Sequence, residues 1–220
     1  MPETLFTDAE RARIREAVAA AERRSAGEIV PLVVLRSGRY DLAVWRAAAA
    51  GALLAMALVL GGSLLHQGWG LAWLYTHWAT AAAAVLGGTL GALVGAYVPA
   101  VQRALLGEAY LAEQVHRRAM QAFVEEEVFS TRDRTGILLF VSLQEHRIEV
   151  FGDAGINARV APEEWVDVVA RARERIRKGH LAEGLVDAIE RCGELLERRG
   201  VPLRGDDAGE LPDDVRVSQR

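Results

Sequence analysis

The chain has 220 residues, with 26 basic and 30 acidic side chains and a formal net charge of −4. This balance argues against a nucleic-acid-binding protein, because such a surface needs clustered lysine and arginine. Cys192 is the single cysteine, which excludes an intramolecular disulfide. Residues 47–102 contain no Asp, Glu, Lys or Arg. The remaining sequence is long enough for one soluble domain of about 160 residues.

The N-terminal segment predicts an amphipathic helix followed by a buried strand. Thr7 and Glu10 have capping-box spacing, and apolar residues then recur at helical spacing to about residue 24. Residues 28–35 (EIVPLVVL) are almost continuously apolar and rich in valine, as in a buried strand. Pro31 has no amide hydrogen, which favours a sheet edge or a strand start.

The uncharged stretch predicts two transmembrane helices, at about residues 43–65 and 71–98, joined by a short turn. Aromatic residues at the ends of both predicted spans are typical of membrane interfaces. Arginines flank the ends that join the soluble part, and the turn has none. The positive-inside rule therefore places the soluble domain in the cytoplasm and the turn outside.

Gly87, Gly91 and Gly95 recur every four residues in the second predicted span. This spacing lets another helix approach closely. The other helix is either the alanine-rich first span of the same hairpin, which we favour, or a second copy of the chain in a homodimer.

The sequence after the spans predicts a long helix over 103–128 and a hairpin of two strands, at 136–143 and 147–151. Two further amphipathic helices are predicted, one beginning near Pro162 and one near Leu181.

Together these elements predict an α/β fold with a small mixed sheet sandwiched by helices. The second strand is expected parallel to the first and the third antiparallel to the second. The soluble domain would comprise residues 5–40 and 102–200, interrupted by a transmembrane helical hairpin at 43–98. Residues 201–220 are polar, acidic and punctuated by glycine and proline, so we expect a disordered tail.

Three stretches resemble the TPM domain family: SAGEIVPLVV after an amphipathic helix, TGILLFVSLQEHRIEVFGDAGI, and two closing helices separated by a glycine-containing break. The arrangement is similar to a bacterial membrane subgroup in which two spans follow the first strand, which implies the inner membrane. The resemblance covers residues 5–200 and implies an α/β/α sandwich. For some members it also implies acid-phosphatase activity or a divalent-cation site, for calcium or magnesium.

Two residues are candidates for chemistry, because the common nucleotide, zinc and hydrolase signatures are absent from the sequence. Asp153 lies in GDAG, where the glycines would let a ligand approach and the carboxylate could bind a cation or act as a nucleophile. The alternative is an aspartate that accepts turn amides, which is the commoner role. His116 is expected on or beside the apolar face of its helix, where it could act as a general acid or base or as a ligand. The alternative is a hydrogen-bonded core residue.

Two functional hypotheses follow. We favour a non-enzymatic, membrane-anchored module that binds a protein partner, for example in membrane-protein quality control, because no convergent catalytic set is visible. The second hypothesis is a metal-dependent phosphatase with Asp153 as metal ligand or nucleophile and His116 as acid or base. Residues 47–102 contain no Asp, Glu, Lys or Arg that could form an ion pathway, which argues against a transporter.

Overall fold

The computed structural model describes residues 5–65, 76–201 and 210–218. The chain divides into an α/β unit, Met1–Gly38 with Ala112–Arg220, and a helical unit, Arg39–Leu111. Its elements in chain order are α1 (Asp8–Glu22), β1 (Glu28–Val34), α2 (Asp41–Leu65), α3 (His77–Tyr97), α4 (Pro99–Leu106), α5 (Glu108–Glu125), β2 (Gly136–Ser142), β3 (Arg147–Gly152), α6 (Ala154–Asn157), α7 (Trp165–Arg177), α8 (Leu181–Arg198) and β4 (Arg216–Ser218).

The α/β unit contains a four-stranded mixed sheet in the order β3-β2-β1-β4. β1 runs parallel to β2 over its whole length, with Glu28 opposite Gly136, and β2 runs antiparallel to β3. The predicted fold class and the directions of the first three strands are therefore confirmed. β4 pairs in parallel with the other side of β1.

β4 shows that the predicted disordered tail is wrong for residues 210–218. Arg216–Ser218 pairs with Leu32–Val34 of β1, and the Arg216 guanidinium donates to the Glu126 carboxylate at 2.6 Å. The prediction failed because it weighed polar composition alone. A short strand of low hydrophobicity can be held by backbone hydrogen bonds and ion pairs to an existing sheet.

β4 also changes the interpretation of Pro31, because β1 is an inner strand and not an edge strand. Pro31 lies opposite Leu139 of β2, and pairing with β4 begins only at Leu32. The missing amide hydrogen of Pro31 therefore costs no hydrogen bond to β4.

The sheet is covered by apolar side chains on both faces, which explains the continuous apolar run of β1. Ile29 and Val33 face the layer that contains α1, α7 and α8. Val30 and Leu32 point the opposite way, toward α5, as expected from the two-residue period of a strand.

The predicted long helix over 103–128 is wrong in its continuity. Gly107 separates α4 from α5 and has a positive φ of 79°, a conformation that glycine adopts at little cost. α5 then ends at Glu125. The pattern of apolar residues continues across this break, which is why periodicity alone did not reveal it.

α2 and α3 pack closely against each other through glycine. A Cβ atom on Gly91 would lie 2.2 Å from the carbonyl oxygen of Ala47, and one on Gly87 would lie 2.5 Å from the Ala55 side chain. Gly95 likewise faces Ala47. The three glycines therefore lie in the seam within the hairpin, as we favoured. A homodimer through the same glycines would require this seam to open, and it stays a prediction.

α2 and α3, with 25 and 21 residues, are long and apolar enough to cross a membrane by length and composition. They agree with the predicted spans where the structure describes them. The predicted turn and the first residues of the second span, 66–75, lie outside the described residues.

Two polar side chains connect the helices of this unit. The Gln102 side chain donates to the carbonyl oxygens of Gly95 and Ala96 at 2.9 and 3.0 Å, which satisfies acceptors that the end of α3 leaves free. The Arg46 guanidinium donates to the carbonyl oxygen of Leu105, near the end of α4. α4 is thus tied to both α2 and α3.

Candidate functional site

Asp153 is held at the junction of β3 and α6. Its backbone N–H donates to the carbonyl oxygen of Gly136 at 2.9 Å, which continues the β2–β3 ladder by one residue. Its side chain is only 5% exposed, and Oδ1 accepts the backbone N–H of Ala154 at 2.7 Å. Asp153 therefore caps α6, the structural role that aspartate commonly has at such a position.

The second carboxylate oxygen of Asp153 faces an arginine. Arg134 Nε lies 2.8 Å from Oδ2, but this buried oxygen has no well-directed hydrogen bond among the described residues. Arg134 is about half exposed and also lies over the ring of Phe129, 5.7 Å from its centroid. The pair combines a buried anion with a guanidinium that solvent can reach.

The two glycines beside Asp153 serve chain packing, which corrects the expected role in ligand approach. A Cβ atom on Gly152 would lie 2.6 Å from the Ile156 side chain. A Cβ atom on Gly155 would lie 2.3 Å from the carbonyl oxygen of Asp133. The space that the glycines leave is filled by the protein itself, and the residues after Asp153 form the short helix α6.

His116 lies on α5 and faces the edge strand β3. Its Nδ1 is 2.9 Å from Glu149 Oε2, and its ring lies 5.2 Å from the ring of Phe151. The His116 side chain is 52% exposed. It therefore lies beside the apolar face of α5, as predicted, but as a half-exposed histidine–carboxylate pair and not as a core residue.

The structure does not bring His116 and Asp153 into contact. His116 binds Glu149, and Asp153 follows that residue by four positions along β3, or about 13 Å in an extended strand. The two candidate residues share no hydrogen bond or ion pair in the part of the chain that the structure describes. Their assigned catalytic roles stay predictions.

A cation site at Asp153 would need further ligands. Calcium and magnesium prefer six or more oxygen ligands, and the described residues contain no group of three or more His, Cys, Asp or Glu that could hold a metal ion. A divalent cation at Asp153 would also have to displace Arg134 from Oδ2. Asp153 alone therefore supplies too few ligands for calcium or magnesium. The predicted cation site stays a prediction.

Sequence reasoning missed a buried polar cluster at the opposite end of the strands, where β1 and β2 end. Ser37 Oγ donates to Ser142 Oγ at 2.7 Å, and Ser142 Oγ donates in turn to the Glu145 carboxylate. The Ser37 N–H donates to the same carboxylate at 3.3 Å. All three side chains are buried, so the cluster ties the segment after β1 to the β2–β3 turn. Ser142, a hydroxyl at the end of an apolar strand, was the available signal.

A second missed group is Glu22, beside the start of β1. Burial raises the pKa of Glu22 to about 8, although the backbone N–H of Ile29, which donates to this carboxylate at 3.0 Å, acts in the opposite direction. The nearby acidic groups Glu28 and Asp213 add to the increase. Only the folded structure brings these carboxylates together, because Asp213 belongs to the predicted tail.

Fold and site define an α/β module with a buried aspartate after its edge strand and two apolar helices inserted after β1. The sequence model of the TPM domain family matches residues 102–195, a range that includes β2, β3, His116 and Asp153. Residues 102–195 therefore match the TPM domain family, and the resemblance found in the sequence is confirmed over this range.

One solved structure supports the fold. The chain is similar to the NMR structure of the BA42 protein from the psychrophilic bacterium Bizionia argentinensis, with a TM-score of 0.58 over 99% of each chain. The two sequences are 19% identical, so this similarity concerns the fold alone. A search of the curated proteins found no match.

Proposed function

We propose that this protein is a membrane-anchored TPM module that presents its α/β unit at the bilayer and binds a protein partner there. The observation that carries the anchoring is the exposed apolar surface of α2 and α3. Leu58 and Leu64, for example, are 68% and 83% exposed. Soluble monomers rarely expose large contiguous apolar patches, whereas lipid tails would cover them.

The position of the hairpin strengthens this proposal. The hairpin leaves the α/β unit just after β1, and the chain returns through α5. Two covalent connections would therefore hold the α/β unit at one side of the bilayer. The arginines near both connections, Arg36, Arg39, Arg46 and Arg103, favour the cytoplasmic side of a bacterial inner membrane.

Two measurements test the anchoring. The full chain should stay in the membrane pellet after alkaline carbonate extraction. A reporter that is active only outside the cytoplasm should be on when fused at Gln67 and off when fused at Arg220. Extraction into the supernatant would refute the anchor, and the reverse reporter pattern would refute the orientation.

The open edge of β3 is the partner-binding surface that we propose. β3 is the terminal strand of the sheet. Because the Asp153 N–H points to β2, the alternating pattern of an antiparallel pair directs the N–H of Val150 away from the sheet. An extended segment of a partner could add there as a further strand.

A matched pair of variants tests this surface. Val150→Pro removes an outward N–H without removing a β2–β3 hydrogen bond, whereas Val150→Thr keeps it. A partner that copurifies with the full chain from membranes should be lost with the proline variant and kept with the threonine variant. Equal yields would contradict the β3 surface, and the absence of any stoichiometric partner would contradict the binding module.

The alternative function, an acid phosphatase, is favoured by one observation, the Asp153–Arg134 pair. A buried carboxylate oxygen without a directed hydrogen bond suits a nucleophile, and a half-exposed guanidinium suits a phosphate group. The substrate phosphate would bind Arg134 in place of the Asp153 carboxylate.

Phosphomonoester hydrolysis by the full chain, with and without calcium or magnesium, tests this alternative. Turnover that Asp153→Asn and Arg134→Gln abolish and His116→Gln leaves unchanged would assign the activity to the pair. Loss in the His116 variant as well would restore the two-residue site predicted from the sequence. Turnover no higher than that of buffer would refute the phosphatase.

A further inference from the structure

A groove of about 460 Å³ lies within the helical unit. It runs along α2 from Ala47 past Gly51 to Leu58, is bounded on the other side by α3, and reaches Val101 and Leu105 of α4. Its lining is almost entirely apolar. The groove exists because α2 and α3 meet through alanine and glycine, which leave the space beside the seam unfilled.

The groove is long. Ala47 and Leu58 are separated by about 16 Å along the axis of α2, at 1.5 Å per residue. A volume of about 460 Å³ falls within the range of about 300–1,000 Å³ that is usual for small-molecule sites. A single hydrocarbon chain in van der Waals contact needs a width of about 4–5 Å, so an extended chain can lie along the groove.

One end of the groove carries a positive charge. Arg46 directly precedes Ala47, and its guanidinium donates to the carbonyl oxygen of Leu105, which also lines the groove. This hydrogen bond fixes the guanidinium at that end. Arg46 is exposed and retains N–H donors that a phosphate oxygen would accept. The neighbouring Trp45, which is 73% exposed, is a residue type typical of the membrane interface.

We propose that this groove binds one acyl chain of a glycerophospholipid whose phosphate is held by Arg46. The apolar lining suits a hydrocarbon chain, and the guanidinium at the end of the groove complements a phosphate. The proposal rests on the membrane insertion proposed above. It assigns a lipid ligand to the helical unit, separate from any partner of the α/β unit.

The test uses the full chain reconstituted with palmitoyl-oleoyl phosphatidylglycerol, then purified in mild detergent and analysed by native mass spectrometry. The unmodified protein should retain about one lipid per chain. Ala50→Phe and Val94→Phe, which place a ring in the groove from opposite helices, should each lower retention at least fivefold. Arg46→Gln should lower it to a similar extent. Ala49→Phe is the control, because Ala49 is exposed on α2 outside the groove.

The outcomes separate the lipid site from the anchor. If the unmodified chain resists carbonate extraction but retains no lipid, the lipid site is refuted and the anchor stands. If carbonate extracts the chain, the anchor itself has failed. Equal loss of lipid in Ala49→Phe would refute the groove as the site. A lipid-free dimer that Ala50→Phe converts to a monomer would show that a second copy occupies the groove.

Discussion

The α/β unit and the helical unit use the same apolar residue types in opposite ways. Leu138, Leu139 and Phe140 of β2 are fully buried between two layers of helices. In the helical unit, leucines such as Leu58 and Leu64 are mostly exposed, and small residues form the contact between α2 and α3. The first unit gains stability by removing apolar surface from water, whereas the second leaves that surface outward, as expected of two helices that are long and apolar enough to cross a membrane.

This contrast determines which substitutions each unit tolerates. In the α/β unit a large side chain in the core is needed because its removal leaves a cavity. In the helical unit a small side chain in the seam is needed because the backbones of α2 and α3 approach so closely that a larger side chain would overlap them. Cys192 offers a probe for the first unit alone, since it is completely buried in α8 and burial raises the pKa of its thiol to about 12.

The largest expected effect is that of Leu139→Ala, which leaves a cavity in the centre of the sheet. We expect a loss of about 3 kcal/mol of unfolding free energy. The labelling rate of the Cys192 thiol should rise by roughly a hundredfold, because labelling requires the α/β unit to open. Leu58→Ala, at an exposed site of α2, should leave that rate unchanged. Equal rates for both variants would contradict the contrast between the units.

Gly91→Leu should have the next largest effect, confined to the helical unit. A side chain at Gly91 would meet the backbone of Ala47, and such overpacking costs about 1–3 kcal/mol. Gly61→Leu is the matched control, because nothing lies within 4 Å of a Cβ atom there. Crosslinking of engineered cysteines on α2 and α3 in a Cys192→Ala background should fall for the first variant only. A similar decrease for Gly61→Leu would indicate a general effect of bulk.

Most of the fold could be predicted because the buried strands and amphipathic helices have strong periodic patterns. The parallel β1–β2 pair and the antiparallel β2–β3 pair followed from the order of elements and a short turn. The break at Gly107 and the pairing of β4 were missed. Both depend on backbone conformation or on contacts between residues far apart in sequence, which composition does not report.

The candidate site was less predictable than the fold. The sequence indicated Asp153 and His116 separately. The distance between them could not be predicted, because it depends on which residue of β3 lies opposite His116 of α5. Arg134 was missed as the partner of Asp153 because it lies in a turn nineteen positions earlier. The Ser37–Ser142–Glu145 cluster joins residues on both sides of the inserted hairpin, so only the assembled sheet reveals it.

Glu22 predicts a pH dependence of the α/β unit. Its pKa in the folded protein is about 8, above its ordinary value of 4.5, so the folded state holds this proton more tightly than the unfolded state. The contribution of Glu22 to the free energy of unfolding should therefore be highest below pH 4.5, decline as the pH rises toward 8, and level off above it. Because Glu22 is only partly buried, we expect a decline of about 2 kcal/mol, less than the full shift implies.

Glu22→Gln should remove this decline, since glutamine is neutral and can still accept the Ile29 N–H. The measurement is the Cys192 labelling rate at pH 5 and pH 9, each divided by the rate of the urea-unfolded chain at the same pH. A decline of the same size in the variant would show that another group causes the pH dependence.

Glu28→Gln should have the smallest effect and should act on the C-terminal segment. The buried Glu28 carboxylate accepts the backbone N–H groups of Glu210 and Leu211 at 3.1 and 3.2 Å, whereas the Arg15–Asp214 pair on the same segment is largely exposed. Hydrogen bonds to a buried charge contribute more than an exposed ion pair. The free energy of opening of β4, measured by amide hydrogen exchange, should therefore fall by about 1 kcal/mol in Glu28→Gln and hardly change in Arg15→Gln. The opposite ranking would mean that surface charge, and not the buried carboxylate, holds the fourth strand on β1.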